Sequence, residues 1–318
     1  VGTHPCAGNR TDALWADDYS QVFVGCGTTT AGTGLFQTTN GGTDWAEVSG
    51  FEDFRVNHLW RSADSGLYVS GNSTVGDARV LGLDEGIETV WNKGATSEMS
   101  FSVGAYARSA SGVEVAESLT GNGVVVRQPG GTWLSGYGWW NALDSAAVQI
   151  LDLDSADGAV VGVGNVISQP PVVYLPPRSW SFGEALGDEG RADGLWEMVT
   201  MSSSFVGELW DIDGDAHGLV VGGVNQDDGH GVIWTIGTEW DTDAYEASAW
   251  HYTDVRTVLS NPSPTWVRGV CRVGDRVAVV GEFSSLGDGF LLISQDGGVS
   301  FEDRTAEVEA TMSGGSSL

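Results

Sequence analysis

The sequence predicts an all-β protein made of many short strands joined by tight turns. Glycine accounts for 47 of the 318 residues and tryptophan for 14, and long segments of Ala, Leu, Glu and Lys at helical spacing are absent. This composition is typical of sheets closed by glycine-containing turns. A further observation is a four-strand pattern that recurs six times along the chain.

The clearest members of the repeat are six short segments rich in β-branched residues, which we expect to form the second strand of each unit. They are QVFVGC (21–26), GLYVSG (66–71), GVEVAE (112–117), GAVVGVGN (158–165), GLVVGGVN (218–225) and RVAVVGE (276–282). A first strand precedes each segment. A third strand follows it, and then an aromatic residue opens a fourth strand: Trp45, Trp91, Trp133, Trp196, Trp250 and Phe301.

Repeated four-stranded units of about 42–46 residues, with longer units later in the chain, predict a β-propeller. We expect six blades in a single domain over residues 1–318, with an N-terminal arm at about 1–10 and a C-terminal tail at about 305–318. Insertions at 176–194 and 237–249 lengthen blades four and five.

The turn between the third and fourth strands carries the most specific motif. SQDGGVSF (294–301) fits the pattern Ser-x-Asp-x-Gly-x-Ser/Thr-aromatic, TTNGGTDW (38–45) fits it with Asn40 and Asp44, and RQPGGTW (127–133) is a degenerate copy. In such a turn the Asp or Asn side chain accepts hydrogen bonds from nearby amides, while glycine adopts positive φ. The motif therefore predicts a structural staple and no particular reaction.

These turns make the chain resemble the Asp-box (BNR) repeat propellers. That family includes sialidases, xyloglucan hydrolases, sortilin-type receptors and a photosystem assembly factor. Units such as LWADDYSQVFVG and LWRSADSGLYVSG also resemble the Trp-rich propeller repeats of exported myxobacterial proteins. The resemblance implies a propeller fold and leaves the activity open.

Charge restricts the partners. Forty-three acidic residues against 14 basic ones give a formal charge of −29, so a polyanion such as nucleic acid is repelled. A solvated acidic surface, cation binding and attraction to a basic partner all stay open. No apolar stretch approaches the roughly 20 residues that a membrane-spanning helix needs, so we expect no membrane span. We also expect the protein to be a monomer.

The cysteines predict one disulfide. Cys6 precedes the first strand and Cys26 ends the second, which places both at the same face of blade one. We therefore expect a Cys6–Cys26 disulfide and an extracytoplasmic location, whether secreted, periplasmic or at the cell surface. Cys271 lies in an apolar strand and is expected to be a buried free thiol.

In a propeller of this type, ligands usually meet the face formed by the fourth-to-first and second-to-third strand connections. The residues predicted to bind a carbohydrate or protein ligand on that face are Trp139, Trp140, Arg256, His230, Asp228 and Glu282. Trp139 and Trp140 are adjacent, so in an extended segment both cannot point inward. The alternative is that one closes the mouth of the channel and the other packs between blades.

Catalytic motifs are weak. The Arg-Ile-Pro entry motif of sialidases is absent and no Tyr-Glu pair stands out, while no G-x-S-x-G or zinc-ligand spacing occurs. Glu117 and Glu282 could form the two carboxylates of a glycosidase, but in so acidic a chain many carboxylates pair by chance, and the sequence favours ordinary carboxylates at the rim. The sequence favours a non-catalytic, exported binding or scaffold propeller, with a polysaccharide-active glycoside hydrolase of the Asp-box type as the alternative.

No cofactor is required, and calcium is the one metal that the sequence suggests. Asp211, Asp213 and Asp215 have the alternating spacing of calcium loops, similar to the Asp-rich stretch of integrin-like propellers. The closing carboxylate is missing, because the ninth position is Leu219. The acidic residues Glu239, Asp241 and Asp243 of the insertion would have to complete the site.

Overall fold

We analysed a computed structural model of the chain. It describes the following residues: 5–6, 10–16, 20–27, 32–52, 54–61, 67–73, 78–82, 103–110, 112–118, 123–127, 134–135, 148–166, 170–175, 197–201, 204–238, 243–244, 246–259, 263–283 and 288–307. The chain divides into two compact units, Val1–Ser135 and Gly136–Leu318, and each is described by itself. That the whole chain is a single domain stays a prediction.

The described residues of unit 1 form three antiparallel sheets, which follow one another in the order of the sequence. The first is β1 (Arg10–Ala16), β2 (Val22–Gly27), β3 (Gly32–Thr38) and β4 (Ala46–Glu47); the second is β5 (Phe54–Arg61), β6 (Leu67–Ser73) and β7 (Ala78–Gly82); the third is β8 (Val103–Arg108), β9 (Glu114–Ser118), β10 (Gly123–Arg127) and β11 (Leu134–Ser135). Trp91, which is expected to open the fourth strand of the second sheet, lies outside the described residues.

In the part of unit 2 that the structure describes, the strands form three four-stranded antiparallel sheets. They are β12 (Val148–Ala156), β13 (Ala159–Val166), β14 (Val172–Leu175) and β15 (Glu197–Thr200); β16 (Gly207–Asp215), β17 (Gly218–Asn225), β18 (His230–Ile236) and β19 (His251–Asp254); and β20 (Thr265–Val273), β21 (Arg276–Phe283), β22 (Gly289–Ser294) and β23 (Glu302–Asp303). Two single-turn 3₁₀ helices, Ala247–Ala249 and Val255–Thr257, flank β19. Among the described residues, no helix is long and apolar enough to cross a membrane.

The all-β prediction is confirmed, and the six predicted second strands coincide with β2, β6, β9, β13, β17 and β21 to within two residues. The described side chains of β2, β6, β9, β13 and β17 are largely buried; for example, Val220 and Val221 of β17 have no exposed surface. Burial on both faces explains why a strand such as β17 appears as a continuous apolar run. In β21, by contrast, buried residues alternate with partly exposed ones, and Val280 is 46% exposed.

A register shift recurs between the first and second strands of all six sheets. In β16 it lies between Leu209 and Asp211, and in β20 it lies between Val267 and Gly269. Such a bulge inserts one extra residue and redirects its side chain. Trp210 and Arg268 are the extra residues in these two strands.

The same bulge explains one wrong prediction. Simple alternation along β20 from the buried residues Thr265 and Val267 would also bury Cys271, but the extra residue Arg268 reverses the alternation. Arg272 is therefore buried, and Cys271 is a free, exposed cysteine.

The predicted Cys6–Cys26 disulfide is present, with a Cα–Cα distance of 5.4 Å, and it packs with Val24 in a small buried cluster. It ties the segment before β1 to the end of β2. The prediction of this pairing is confirmed.

The turn before β23 has the hydrogen bonds expected of a staple. Asp296 accepts bonds from Ser300 N–H (2.9 Å) and Ser300 Oγ (2.6 Å), while Ser294 Oγ accepts one from Gly298 N–H (2.8 Å). Gly297 and Gly298 have φ of 74° and 90°, which residues with a Cβ rarely adopt. The 38–45 turn has the same arrangement around Asn40. Membership of the Asp-box family stays a prediction.

Candidate functional site

Strand ends gather at one edge of unit 2, which we call the unit-2 edge and define as residues 204–210, 225–230, 252–257, 264–268 and 282–283. The antiparallel registers place the starts of β16 and β20 beside the ends of β17 and β21. The turn after β17 joins the next sheet directly, because Gly229 O accepts a bond from Thr265 N–H (3.1 Å) and Thr265 Oγ1 accepts one from Gly231 N–H (3.0 Å). The two sheets therefore present one continuous edge.

Two tryptophans and an arginine form the centre of this edge. The indole rings of Trp210 and Trp266 are 6.2 Å apart between centroids and nearly perpendicular, at 87°. The guanidinium of Arg268 lies 4.3 Å from the centroid of Trp210 and 4.7 Å from that of Trp266. Stacking of a cation on two half-buried indoles gives a rigid group; we call these three residues the Trp–Arg cluster.

Two glutamates hold the Trp–Arg cluster. Glu282 Oε1 accepts a hydrogen bond from Arg268 Nε (2.7 Å) and forms an ion pair with Arg268 Nη2 (2.5 Å). Glu208 Oε2 accepts a bond from Trp210 Nε1–H (2.9 Å). The Arg268 and Glu282 side chains are 45% and 39% exposed, so this ion pair is open to an incoming ligand.

A second polar group occupies the end of β19. Arg256 Nη2 pairs with Asp228 Oδ2 at 3.0 Å, and Arg256 Nε donates to both carboxylate oxygens of Asp254 at 3.0 Å. Desolvation opposes the change, but the hydrogen bonds from Arg256 lower the pKa of Asp254 below its ordinary value. Nearby Tyr252 is 42% exposed, and desolvation together with the charges of Asp254 and Asp228 raises its pKa. We call Asp228, Tyr252, Asp254 and Arg256 the Asp–Arg cluster.

His230 belongs to this edge, but its side chain is buried. It is only 8% exposed, and its backbone N–H donates to Asp228 Oδ1 at 3.2 Å. Its ring nitrogen Nδ1 has no hydrogen-bond partner in the described part of the chain. His230 therefore supports the turn rather than presenting its ring to solvent.

The structure brings the predicted ligand residues together only in part. Asp228 and Arg256 are in contact, and Glu282 lies at the same edge with Arg268 as its partner. Trp139 and Trp140 lie outside the described residues, as does the side chain of Glu117. Their role in ligand binding stays a prediction.

Sequence reasoning missed the Trp–Arg cluster and Glu208. Trp210 and Trp266 lie in segments that are predicted to be first strands. The alternation of side chains along each strand does not show that the two indoles lie on the same side. The recurrent bulge decides this, because Trp210 and Arg268 occupy equivalent extra positions in neighbouring sheets. Bulges leave no distinct sequence signature here.

Unit 1 contains a tyrosine–glutamate pair that the sequence did not reveal. Tyr106 donates to Glu114 Oε1 at 2.6 Å, and the two residues are only 1% and 5% exposed. Burial, reinforced by Glu114, raises the pKa of Tyr106 well above its ordinary value. Its ring packs against Trp60 and Tyr68. A nucleophilic tyrosine needs access and a lowered pKa, so this pair is structural.

The aspartates suggested for calcium act as a ladder between strands. Their carboxylates accept backbone N–H bonds from β20: Asp211 from Val270 (2.5 Å), Asp213 from Arg272 (2.6 Å) and Asp215 from Gly274 (2.6 Å). Asp152 and Asp154 bond to Ile212 and Gly214 of β16 in the same way (3.0 and 2.9 Å). Alternate strand residues share a face, so i, i+2 spacing serves this ladder as well as a calcium loop.

Within the described ranges, no group of three or more His, Cys, Asp or Glu residues is arranged to hold a metal ion. Glu239 and Asp241 lie outside the described residues. The calcium site stays a prediction, and melting in millimolar calcium against chelator, at constant ionic strength, is the measurement that tests it.

Comparison with known proteins identifies the kind of fold. No protein-family model and no curated protein matches the sequence. Among solved structures, the chain is similar to virginiamycin B lyase from Staphylococcus aureus (TM-score 0.57, 10% identity, covering 95% of this chain and 85% of that one). It is also similar to U3-55K (0.55, 13%, 93% and 80%) and to YCF48 bound to D1 peptide (0.50, 15%, 93% and 82%). These likenesses show a β-propeller fold.

Proposed function

We propose that this protein is an exported, non-catalytic propeller of six blades that binds a protein or carbohydrate ligand at the unit-2 edge. The observation that carries the proposal is the Trp–Arg cluster, in which one exposed guanidinium stacks on two indoles beside the exposed carboxylate of Glu282.

The residue types support binding. Tryptophan, tyrosine and arginine contribute most of the energy in protein interfaces, because they offer large rigid surfaces with a polar end. Here both indoles are held before any ligand arrives, Trp210 by Glu208 and both rings by Arg268. A preorganised site loses less conformational entropy on binding.

The carboxylates at this edge are already engaged by neighbours. Glu282 is held by Arg268 and Glu208 by the Trp210 indole, whereas a general acid or nucleophile must be free to reach a substrate. The hydrolase alternative rests on Glu117 and Glu282, and the side chain of Glu117 lies outside the described residues. A released-sugar assay on polysaccharides separates the two functions.

Two further observations support an exported binding protein. The buried Cys6–Cys26 disulfide is typical of oxidising compartments. YCF48, a protein of similar fold, is known bound to a peptide. Because folds of this kind also include a lyase, the fold alone assigns no reaction.

Intrinsic fluorescence tests the proposal. Glycan and peptide panels are screened for a saturable change in tryptophan emission, and hits are repeated with Trp210→Ala and Trp266→Ala. We expect each substitution to weaken binding by about tenfold or more. Trp45→Phe in unit 1 is the control and should bind as the wild type does. Equal affinity in all three variants would place the site elsewhere, and Trp139→Ala/Trp140→Ala then tests the other predicted aromatics.

A further inference from the structure

Two features of the unit-2 edge distinguish a protein ligand from a carbohydrate ligand: its net charge, and the contact between Arg268 and the faces of its two indoles. We infer that the edge binds a basic peptide segment, one whose arginine or lysine side chains enter between the Trp–Arg and Asp–Arg clusters. This inference rests on the proposed function and names its partner.

Carboxylates outnumber cations at this edge. The acidic residues are Glu208, Asp227, Asp228, Asp254 and Glu282, and the basic ones are Arg256 and Arg268. Both arginines are already paired with these carboxylates, Arg256 with two of them. The excess negative charge belongs to a chain of formal charge −29, so it attracts a cationic partner and repels an anionic one.

The indole faces favour a peptide over a sugar. A sugar ring stacks on an uncovered aromatic face, but the Arg268 guanidinium covers one face of both Trp210 and Trp266. The contacts of Arg268 show which chemical group this edge can stabilise. It is a planar cation that lies against aromatic rings with a carboxylate at hydrogen-bond distance.

The Asp–Arg cluster supplies a place for a second cation. Tyr252 is the most exposed aromatic of this edge, and its ring contacts Trp234 (5.1 Å between centroids), which fixes it. Desolvation, together with the charges of Asp254 and Asp228, raises the pKa of its hydroxyl, and the side chains of Asp228 and Asp254 are 35% and 17% exposed. An aromatic ring beside two carboxylates is a favourable environment for a lysine or arginine side chain.

The test uses the whole chain and four labelled probes: three alternating peptides of equal length, (Gly-Arg)₆, (Gly-Lys)₆ and (Gly-Glu)₆, and a neutral oligosaccharide, cellohexaose. Fluorescence anisotropy should show saturable binding of the two basic peptides alone. Affinity should fall steeply between low and physiological salt, since the attraction is electrostatic.

Matched carboxamide variants separate this edge from the acidic surface in general. Asp228→Asn and Glu282→Gln should each weaken the basic peptides by about fivefold or more. Asp303→Asn removes one exposed carboxylate from β23 of the same unit and should change the affinity by less than about twofold. Equal losses in all three variants would overturn the inference, because they would show attraction to the whole surface.

The remaining outcomes distinguish this inference from the proposed function. If cellohexaose binds in a Trp210-dependent manner and the basic peptides do not, the binding function holds and the partner class is wrong. If none of the probes, glycan panels or peptide panels binds, both are wrong.

Discussion

Arg272 should be one of the most important single side chains for the stability of unit 2. Its side chain is 1% exposed, and it joins three segments: its guanidinium donates to His217 O (2.8 Å), Ile236 O (3.3 Å) and Gly297 O (3.3 Å). Burial lowers the pKa of Arg272, while Asp215 Oδ1 at 3.6 Å compensates part of the charge. The guanidinium thus fastens the glycine turn before β23 to the preceding sheet.

We predict that Arg272→Met lowers the free energy of unfolding by about 3–5 kcal/mol. The methionine keeps most of the apolar stem, but three carbonyl groups lose their donor and Asp215 loses its ion-pair partner, and breaking such a buried charged network costs about this much. Each kcal/mol corresponds to about 2–4 °C for a unit of this size, so the melting temperature should fall by about 10 °C. Urea unfolding followed by far-UV circular dichroism measures the free energy directly.

Arg304→Met is the matched control. Arg304 is exposed and pairs with Glu302 (2.7 Å) and Glu307, so its removal should lower the free energy of unfolding far less than Arg272→Met does. If Arg272→Met is no more destabilising than Arg304→Met, the three carbonyl bonds do not stabilise the fold and the reasoning fails.

Three further predictions concern the disulfide, pH and a turn. Cys6→Ser with Cys26→Ser should destabilise unit 1 by about 3 kcal/mol, measured by urea unfolding, since the bond closes a loop with a sequence separation of 20; an unchanged midpoint would contradict this. In the folded state, burial first and then the neighbouring Asp211 raise the pKa of Asp152 well above its ordinary value of 3.8. The folded state therefore keeps a proton on Asp152 at pH values where the unfolded chain has lost it, so the free energy of unfolding falls as pH rises above 3.8. Asp152→Asn should therefore raise the melting temperature more at pH 7.5 than at pH 5, whereas an equal rise at both would refute the shift. Gly298→Ala should lower the free energy of unfolding by several kcal/mol in the same assay. The added Cβ would overlap Thr235 of β18, and Gly298 has a φ of 90°, which residues with a Cβ rarely adopt.

Much of the fold follows from local sequence signals. A second strand such as β17 is predicted correctly because both of its faces are buried and its residues, GLVVGGVN, form an apolar run. The glycine turns at 38–45 and 294–301 are predicted from residues that bond within the turn itself. Such features depend on neighbours in the chain.

The candidate site depends on contacts between sheets, which local patterns do not encode. The sequence predicts Asp228 and Arg256 at the same face from their strand-end positions, and their side chains do form an ion pair. The Trp–Arg cluster was missed because it requires the bulges that turn Trp210 and Arg268 to one side. The bulge likewise exposes Cys271, where alternation predicts burial.

The most direct test of the account is a hydrogen-exchange footprint of the whole chain with and without saturating (Gly-Arg)₆. Ligand binding at the unit-2 edge should slow amide exchange in peptides covering 204–210, 225–230, 252–257 and 264–268, and leave the 294–301 turn and unit 1 unchanged. Protection confined to the 294–301 turn or to unit 1, with the unit-2 edge exchanging as in the free protein, would contradict the proposed binding site.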